Sequence, residues 1–381
     1  MIPYIKRVAI RNYKSMGHIL LPLDHFTVFV GPNGAGKSNF IDALAFIQQC
    51  LSESVEMAIK SRGGIRAVRR RSAGHPTHIF ILLELILDNE LTSYYSFQIA
   101  AKAQEKFKIV NEYCIISQQE KVRGIFRVKE GEFTREIPGI RVKISPDRLA
   151  LYAASATDEF RPVYDFLTSM RFYSIAPNRL RELQEPDAGE YLKRDGSNAA
   201  AVLKSIEEKD KTAFDRICRL LGKVAGGLKK VEYRSLGQKE TLLFRQDVGT
   251  KAPWKFDALN MSDGTLRVLG LLLSAYQPGN HSVIAIEEPE STVNPAIAEI
   301  VFQVLKEASS SRQVLITTHS PDILDQKELS DEQIRVVTMD RGRTLISPVS
   351  EASRQAIREK LYTPGELLRI DELTPALDDS E

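Results

Sequence analysis

The chain has 381 residues, of which 43% are hydrophobic and 27% are charged, as in soluble globular proteins with one large domain or two ordinary ones. Its 52 basic and 50 acidic residues leave a net charge of only +2, so overall charge argues neither for nor against nucleic acid, and a local patch would have to carry such binding. The three cysteines are far apart and form no CxxC pair, which argues against a disulfide framework or a zinc site.

The amino terminus lacks the apolar segment of a signal peptide. No apolar run in the sequence approaches the ~20 residues that a membrane-spanning helix needs. We therefore expect a cytoplasmic protein that has no membrane partner.

Three strands are predicted at the start of the chain. Alternating apolar and charged residues indicate an edge strand over Tyr4–Asn12, and two further strands follow over Ile19–Leu23 and Phe26–Val30. The third strand leads into Gly-Pro-Asn-Gly-Ala-Gly-Lys-Ser at 31–38, and an apolar-periodic helix continues to about residue 52. Strand, glycine-rich loop and helix in this order are typical of a phosphate-binding P-loop.

The chemistry of this loop indicates a nucleotide triphosphate as its ligand. Its glycines let backbone N–H groups turn inward, and the helix N-terminus adds positive potential there. Lys37 is expected to reach the β- and γ-phosphates, and the Ser38 hydroxyl is expected to bind Mg²⁺.

A basic segment follows the P-loop helix, and its arginines allow two interpretations. The structural interpretation, which we favour, is a solvated loop whose arginines pair with acids elsewhere. The functional interpretation is a DNA- or RNA-binding patch that contacts phosphates. The arginines concerned are Arg62, Arg66, Arg69, Arg70 and Arg71.

From residue 77 to about 137 the hydrophobic period is two, which predicts an antiparallel meander of hairpins. Helices are predicted over 158–170, 199–209 and 212–221, with a short strand at 171–175. The polar stretch between them, 178–194, is interpreted as a surface loop with a helical piece.

Three later motifs carry further chemistry. The apolar strand 282–286 ends in Glu287 and Glu288, an arrangement in which the first carboxylate holds Mg²⁺ and the second activates water. The strand 313–317 ends beside His319, where an open α/β sheet binds ligands. Ser262, Asp263 and Gly264 start a helix and form a second phosphate-binding surface. Taken alone, each motif also fits a bland alternative: an acidic turn, a structural histidine or an ordinary N-cap.

The order of these motifs resembles the ATP-binding-cassette (ABC) superfamily. In detail the chain looks like the SMC/RecF/OLD-type head ATPases of bacteria, and among them it is similar to small AAA-family ATPases that lack coiled-coil arms. The strings that carry the resemblance are Ile10–Ser15, Gly31–Asn39, Leu192–Asn198, Met261–Leu266, Ile286–Glu290 and Thr318–Pro321.

The resemblance implies an α/β P-loop NTPase fold of ABC-head type, with a mixed central sheet, an antiparallel β-meander and a helical lobe. The implied domains are a nucleotide core (1–54 plus 276–350), a β subdomain (75–145), a helical and signature lobe (150–275), and a C-terminal helix with an acidic tail (351–381).

It also implies that two copies meet head-to-tail around two ATP–Mg²⁺, with Glu288, His319 and Lys37 as catalytic residues. Ser38 and Glu287 are the implied metal ligands. The implied nucleotide contacts are Asn12, Lys14, Asn33, Gly34, Ala35, Gly36, Lys37, Ser38, Asn39 and, from the other copy, Ser262, Asp263 and Gly264.

Two departures from the family pattern concern charge. Asp263 stands where a second glycine is usual, and Glu287 replaces the usual aspartate. The glutamine of the Q-loop has no clear counterpart, and Gln48 and Gln49 are candidates by position only.

Two functions remain open at this point. The first is an ATPase that clamps or senses DNA. The second is an ATP-bound oligomeric scaffold that holds a separately encoded effector, such as a nuclease or toxin, in phage defence. Missing heptads argue against a chromosome-organising SMC protein, and the long β-rich insert argues against an importer subunit.

Overall fold

A computed structural model describes residues 2–72, 76–103, 105–135 and 144–376. Parts of two predicted regions lie outside the described residues. These are positions 75, 104 and 136–143 of the predicted β subdomain and positions 377–381 of the predicted acidic tail.

The strands of the described chain are β1 (Tyr4–Tyr13), β2 (Met16–Pro22), β3 (Phe26–Val30), β4 (His78–Ile86), β5 (Leu91–Ala101), β6 (Phe107–Gln118), β7 (Lys121–Lys129), β8 (Glu132–Arg135), β9 (Arg171–Tyr173), β10 (Leu228–Leu236), β11 (Lys239–Gln246), β12 (Trp254–Asp257), β13 (Val283–Glu287), β14 (Gln313–Thr318), β15 (Ile334–Asp340) and β16 (Arg343–Pro348).

The α-helices are α1 (Lys37–Ser52), α2 (Val55–Lys60), α3 (Ile65–Val68), α4 (Ala150–Ala154), α5 (Arg161–Thr168), α6 (Pro177–Arg181), α7 (Ala199–Lys209), α8 (Lys211–Val224), α9 (Asp263–Tyr276), α10 (Pro295–Ala308), α11 (Pro321–Leu324), α12 (Glu351–Arg358) and α13 (Pro364–Arg369). Within the described residues, every helix is too short or too polar to cross a bilayer.

One large mixed sheet organises the molecule, as predicted. Its strand order is β8-β7-β6-β5-β4-β1-β2-β16-β15-β3-β14-β13-β9. The strands from β15 to β9 pair in parallel, whereas β4 to β8 form the antiparallel meander. The meander therefore continues the same sheet that carries the P-loop strand.

The parallel strands are buried on both faces, which explains why they appear in the sequence as unbroken apolar runs. In β3 all five residues are buried. Phe29 packs into the hydrophobic core on one face of the sheet, whereas Val28 and Val30 pack into the core on the other face, beneath α9 and α10.

The prediction that the first strand lies at a sheet edge is wrong. β1 lies inside the sheet and pairs with β2 on one side and with β4 on the other. Its charged residues are accommodated by a neighbouring strand, because Lys6 and Arg7 contact the Glu84 carboxylate of β4 at 2.9 and 3.5 Å. The alternation of apolar and charged residues in β1 therefore indicates a polar face of the sheet and not an open edge.

The region 150–275 is only partly helical. Helices α7, α8 and α9 pack together, and β10, β11 and β12 form a separate three-stranded antiparallel sheet beside them. The predicted helix over 158–170 is shorter, as α5, and α4 precedes it.

Candidate active site

The glycine-rich loop has the backbone shape that anion binding requires. Gly36 precedes α1 with φ of 103°, a conformation that residues with a Cβ rarely adopt. A Cβ at Gly36 would also overlap the Thr344 hydroxyl. Asn33 and Gly34 form the exposed tip of the loop, and Ala35 is buried beneath it. The loop therefore presents its backbone at the N-terminus of the 16-residue helix α1, where a phosphate is favoured.

A chain of hydrogen bonds from outside the loop holds this shape. The Asn39 side-chain amide donates to the Ser15 hydroxyl at 2.7 Å, and that hydroxyl lies 2.6 Å from the Thr344 hydroxyl. Thr344, on β16, donates in turn to the Ala35 carbonyl at 2.8 Å. Sequence reasoning assigned Asn39 to the nucleotide and missed Thr344, since nothing local marks a threonine 309 positions away as a partner of the loop.

Lys37 is buried beneath the loop. Its ammonium donates to the carbonyl oxygens of Gly31 at 2.7 Å and Pro32 at 3.1 Å. Burial lowers the pKa of Lys37, and the carboxylates of Glu288 and Glu290 oppose that shift. The lysine is therefore positioned between the loop backbone and the acidic end of β13.

The two successive glutamates at the end of β13 point to different partners. Glu287 is the last residue of the strand, and its carboxylate accepts a hydrogen bond from Arg194 at 2.8 Å. Glu288 has φ of 45°, a left-handed conformation that is uncommon for a non-glycine residue. Its N–H donates to the Thr317 carbonyl at 2.9 Å, and its carboxylate accepts from the Ser291 hydroxyl at 3.2 Å.

His319 follows the adjacent strand β14 and faces both nearby acids. Its Nδ1 lies 3.7 Å from Oε1 of Glu288 and 3.8 Å from Oε1 of Glu290. Glu290 is buried and accepts from the Thr318 hydroxyl at 2.6 Å and from the His319 N–H at 3.3 Å. The sequence alone indicates no separate role for Glu290. The structure assigns it to holding the histidine segment.

The signature residues lie at the start of α9. Ser262 caps the helix by accepting the Thr265 N–H at 3.2 Å. Gly264 approaches the turn after β13 so closely that a Cβ there would lie 2.9 Å from the Thr292 carbonyl oxygen. Among the described residues, no hydrogen bond joins Ser262 or Gly264 to the P-loop of the same chain.

Arg267 joins this helix to the acidic strand end. Its guanidinium donates to the carbonyls of Glu287 at 3.2 Å and Glu288 at 2.7 Å, and to that of Ile175 at 2.6 Å. Burial lowers the pKa of Arg267, while the surrounding glutamates oppose the shift. The arginine was not singled out from the sequence, because it reads there as an ordinary helical residue.

The P-loop, the two glutamates and His319 thus come together at the C-terminal ends of β3, β13 and β14, which are neighbours in the sheet. Residues 26–325 match the family AAA_21, described as AAA domain, putative AbiEii toxin, Type IV TA system. The chain belongs to this AAA_21 family. It is an ABC-type head of the SMC-like group, as the order of its motifs predicts.

Similar proteins support the same assignment. Structural maintenance of chromosomes protein 1 of Schizosaccharomyces pombe is 23% identical over 395 residues, covering 94% of this chain and 30% of that protein. Chromosome partition protein Smc of Synechococcus sp. is 43% identical over 68 residues, covering 17% of this chain and 5% of that protein. The chain thus spans less than a third of the length of these relatives.

Two solved structures share the fold. A crystal structure of the SmcHead bound to the C-winged helix domain of ScpA aligns with a TM-score of 0.57 and 13% identity, covering 93% of this chain and all of that one. An Smc head domain with an extended coiled coil, bound to the C-terminal domain of ScpA from Pyrococcus furiosus, aligns with a TM-score of 0.50 and 14% identity over 94% of this chain.

The AAA_21 head neutralises its unusual signature charge internally. Asp263 forms an ion pair with Arg181 at the end of α6. The same guanidinium donates to the Met261 carbonyl at 3.0 Å and to the Asn178 side chain at 2.7 Å. The carboxylate that replaces the usual glycine is therefore matched by a cation from the segment before α7.

Asn12 lies near the end of β1 and Lys14 in the turn that follows it, both with positive φ. The Asn12 amide donates to the His78 carbonyl at 3.0 Å. The Lys14 ammonium contacts the Asp42 carboxylate of α1 at 2.6 Å. In this structure both side chains are thus engaged by the protein, and their nucleotide contacts remain a prediction.

The arginines of segment 62–71 are also largely engaged. Arg62 donates to Asp42 at 3.0 Å and is largely buried, Arg66 contacts Glu105 at 2.6 Å, and Arg69 donates to the Pro76 carbonyl at 3.2 Å. Arg70 is half-buried, and Arg71 is exposed. The geometry therefore favours the structural interpretation for Arg62, which pairs with a protein acid. DNA binding by the other arginines remains a prediction.

Gln48 and Gln49 do not occupy a Q-loop position. They lie on the later turns of α1, about 17 to 18 Å along the helix from Lys37 at its usual rise. Gln48 donates to the Thr168 carbonyl at 3.4 Å, and Gln49 accepts from Arg62 at 2.7 Å. The helix thus carries both candidate residues away from the strand ends, and the Q-loop glutamine stays unassigned.

Proposed function

We propose that this AAA_21 head binds and hydrolyses ATP with Mg²⁺, and that two copies close head-to-tail around two ATP molecules as an ATP-gated clamp. The observation that best supports this is the meeting of the P-loop with Glu287, Glu288 and His319 at the ends of neighbouring parallel strands. A P-loop beside two acids and a polar strand end is the constellation that phosphoryl transfer requires.

Each residue has a defined role in this proposal. The Lys37 ammonium exchanges the Gly31 and Pro32 carbonyls for β- and γ-phosphate oxygens. Ser38, whose side chain is exposed at the start of α1, and Glu287 would hold Mg²⁺, which would supply positive charge to the phosphates.

The chemistry at the γ-phosphate falls to the second acid and the histidine. Glu288 takes the proton of the attacking water as general base. His319 donates a hydrogen bond to the γ-phosphate, and Glu290 holds the backbone of the histidine in place.

The second copy completes each site. Ser262 and the free N–H groups at the start of the 14-residue helix α9 would meet the γ-phosphate held by the partner's P-loop. The Arg181–Asp263 pair leaves this surface electrically neutral, so the carboxylate does not repel the phosphate.

We propose DNA as what the clamp acts on, contacted through the arginines of segment 62–71 other than Arg62. Arg71 is exposed, and Arg66 is exposed despite its contact with Glu105, an exposed pair of the kind that contributes little energy. Both are available to exchange a protein partner for a phosphate.

A second candidate function is an ATP-bound scaffold in the cytosol that holds a separately encoded nuclease or toxin for phage defence. The observation that favours it is the description of the matching family, which names a putative toxin of a toxin–antitoxin system. In that case hydrolysis is slow, and the ATP-bound oligomer is the working form.

The clamp is tested with Glu288→Gln, which retains binding but removes the base. With ATP and Mg²⁺, this variant should form a dimer, seen as a doubling of mass by light scattering. Lys37→Ala is the matched control, which should bind no ATP and stay monomeric.

A Glu288→Gln protein that binds ATP yet remains monomeric contradicts the head-to-tail arrangement. A wild-type protein that stays oligomeric in ATP and turns it over very slowly favours the scaffold.

A further inference from the structure

The string Leu192–Asn198, which carries part of the family resemblance, lies beside the acidic strand end. The Arg194 carbonyl accepts the Ser174 N–H at 2.9 Å, and the Asp195 carbonyl accepts the Ala176 N–H at 3.1 Å. These bonds dock the string just beyond the end of β9, the strand next to β13.

The string is rigid around its arginine. Asn198 is buried, and its side chain bonds the Lys193 N–H at 2.8 Å and the Tyr191 carbonyl at 2.9 Å. Gly196 has φ of 84° and lies against Leu180, where a Cβ would meet the leucine at 2.5 Å. Because the backbone is fixed on both sides, Arg194 projects from a defined position.

That position is directed at the predicted metal ligand. The Arg194 guanidinium lies 2.8 Å from Oε1 of Glu287, with the arginine side chain 52% exposed and the glutamate 15% exposed. Glu287 is longer by one methylene than the aspartate it replaces, and it is this longer side chain that meets Arg194.

We propose that Arg194 competes with the divalent metal for Glu287, so that the pair sets the metal affinity of the nucleotide site. This inference rests on the proposed Mg²⁺–ATP site. A metal that takes Glu287 must displace the guanidinium or share the carboxylate with it, and both the lost ion pair and the nearby positive charge oppose binding. Removing the cation should therefore tighten metal binding.

The test measures Mn²⁺ binding by electron paramagnetic resonance to protein saturated with AMP-PNP, a non-hydrolysable ATP analogue. In Arg194→Gln, the Mn²⁺ dissociation constant should fall about two- to fivefold, the range of a half-exposed ion pair. Arg161→Ala is the matched control: Arg161 forms an exposed ion pair with Asp165 at 2.8 Å on α5 and contacts neither Glu287 nor the string that carries Arg194, so it should leave the constant unchanged. Arg194→Met, which keeps the aliphatic stem, replaces the glutamine variant if that one fails to fold.

A second arm separates direct pairing from general electrostatics. Glu287→Asp shortens the carboxylate away from Arg194, so adding Arg194→Gln to it should change the Mn²⁺ constant by less than twofold. An equal effect of Arg194→Gln in both backgrounds would overturn the pairing, as would unchanged or weaker Mn²⁺ binding in the single variant.

The outcomes also separate this inference from the proposed function. Wild-type protein that binds neither AMP-PNP nor Mn²⁺ contradicts the ATP site itself. Wild-type protein that binds both, with an Arg194→Gln variant that binds Mn²⁺ no more tightly, contradicts only the competition.

Discussion

Two groups of arginines differ in how they appear in the sequence and in what they contact. Segment 62–71 concentrates five arginines, yet Arg62 and Arg66 contact protein carboxylates and Arg69 a carbonyl. Arg181 and Arg194 stand apart from any basic run, yet each meets an acidic residue at a predicted functional position. A cluster of arginines in the sequence is therefore a weaker indication of a functional site than the position of a single arginine in the fold.

The largest effect that would sharpen this comparison is on stability. Arg62 and Asp42 are both largely buried, and Tyr13 donates to the same carboxylate at 2.7 Å. Arg62→Ala should lower the free energy of unfolding by about 3 kcal/mol, the lower end for breaking a buried pair, because Lys14 remains beside Asp42. Urea denaturation measures this loss.

Arg66→Ala is the control, since its exposed pair should be worth less than about 1 kcal/mol.

The stability that Arg62→Ala removes should also depend on pH. Burial opposes ionisation of Asp42, but Arg62, Lys14 and Tyr13 outweigh it and lower the pKa of Asp42. A carboxylate whose pKa is lowered on folding stabilises above its ordinary pKa and loses that contribution as pH falls. The free energies of unfolding of the wild-type and Arg62→Ala proteins should therefore converge in acid. An equal difference between them at all pH values would contradict the ion pair.

The same comparison shows what the sequence can predict. The P-loop was predictable because glycines, lysine and serine lie within eight positions, and the flanking strand and helix follow from local periodicity. The parallel strands were predictable because burial on both faces leaves continuous apolar runs. Arg194 lies 93 positions from Glu287, and no local pattern encodes that contact. The same holds for Thr344 on the P-loop and for Arg267 on the carbonyls of Glu287 and Glu288.

An intermediate effect is expected at the signature. Arg181→Ala, placed on the Glu288→Gln background, should weaken the ATP-dependent dimer about tenfold, the range of one lost charge-assisted contact. Sedimentation at several protein concentrations measures the dimer constant. If Arg181 acts by neutralising Asp263, then Asp263→Asn should restore dimerisation to the Arg181→Ala protein. Failure of that rescue would mean that Arg181 has a role of its own.

The smallest effect is expected for DNA. Replacing Arg69, Arg70 and Arg71 together by alanine should reduce duplex retention about threefold at low salt and flatten its salt dependence. The effect is modest because Arg69 already has a protein partner. Filter binding at several salt concentrations tests it. If the triple variant retains duplex DNA as well as the wild-type protein does, this segment is not a DNA-binding surface.

The continuity of the large sheet has a mechanical consequence. From β3 to β8 the strand order has nine strand-to-strand steps, or about 40 Å at the usual spacing between strands. In the proposed ATP-bound dimer, a sheet this long would act as a lever about the nucleotide if its two halves, joined at the β2–β16 pair Met16–Thr344, turn together. A rotation of about 5° where two heads meet would displace the outer meander by about 4 Å over that arm. In the proposed clamp, a molecule seated on the meander would therefore sense ATP turnover without touching the nucleotide.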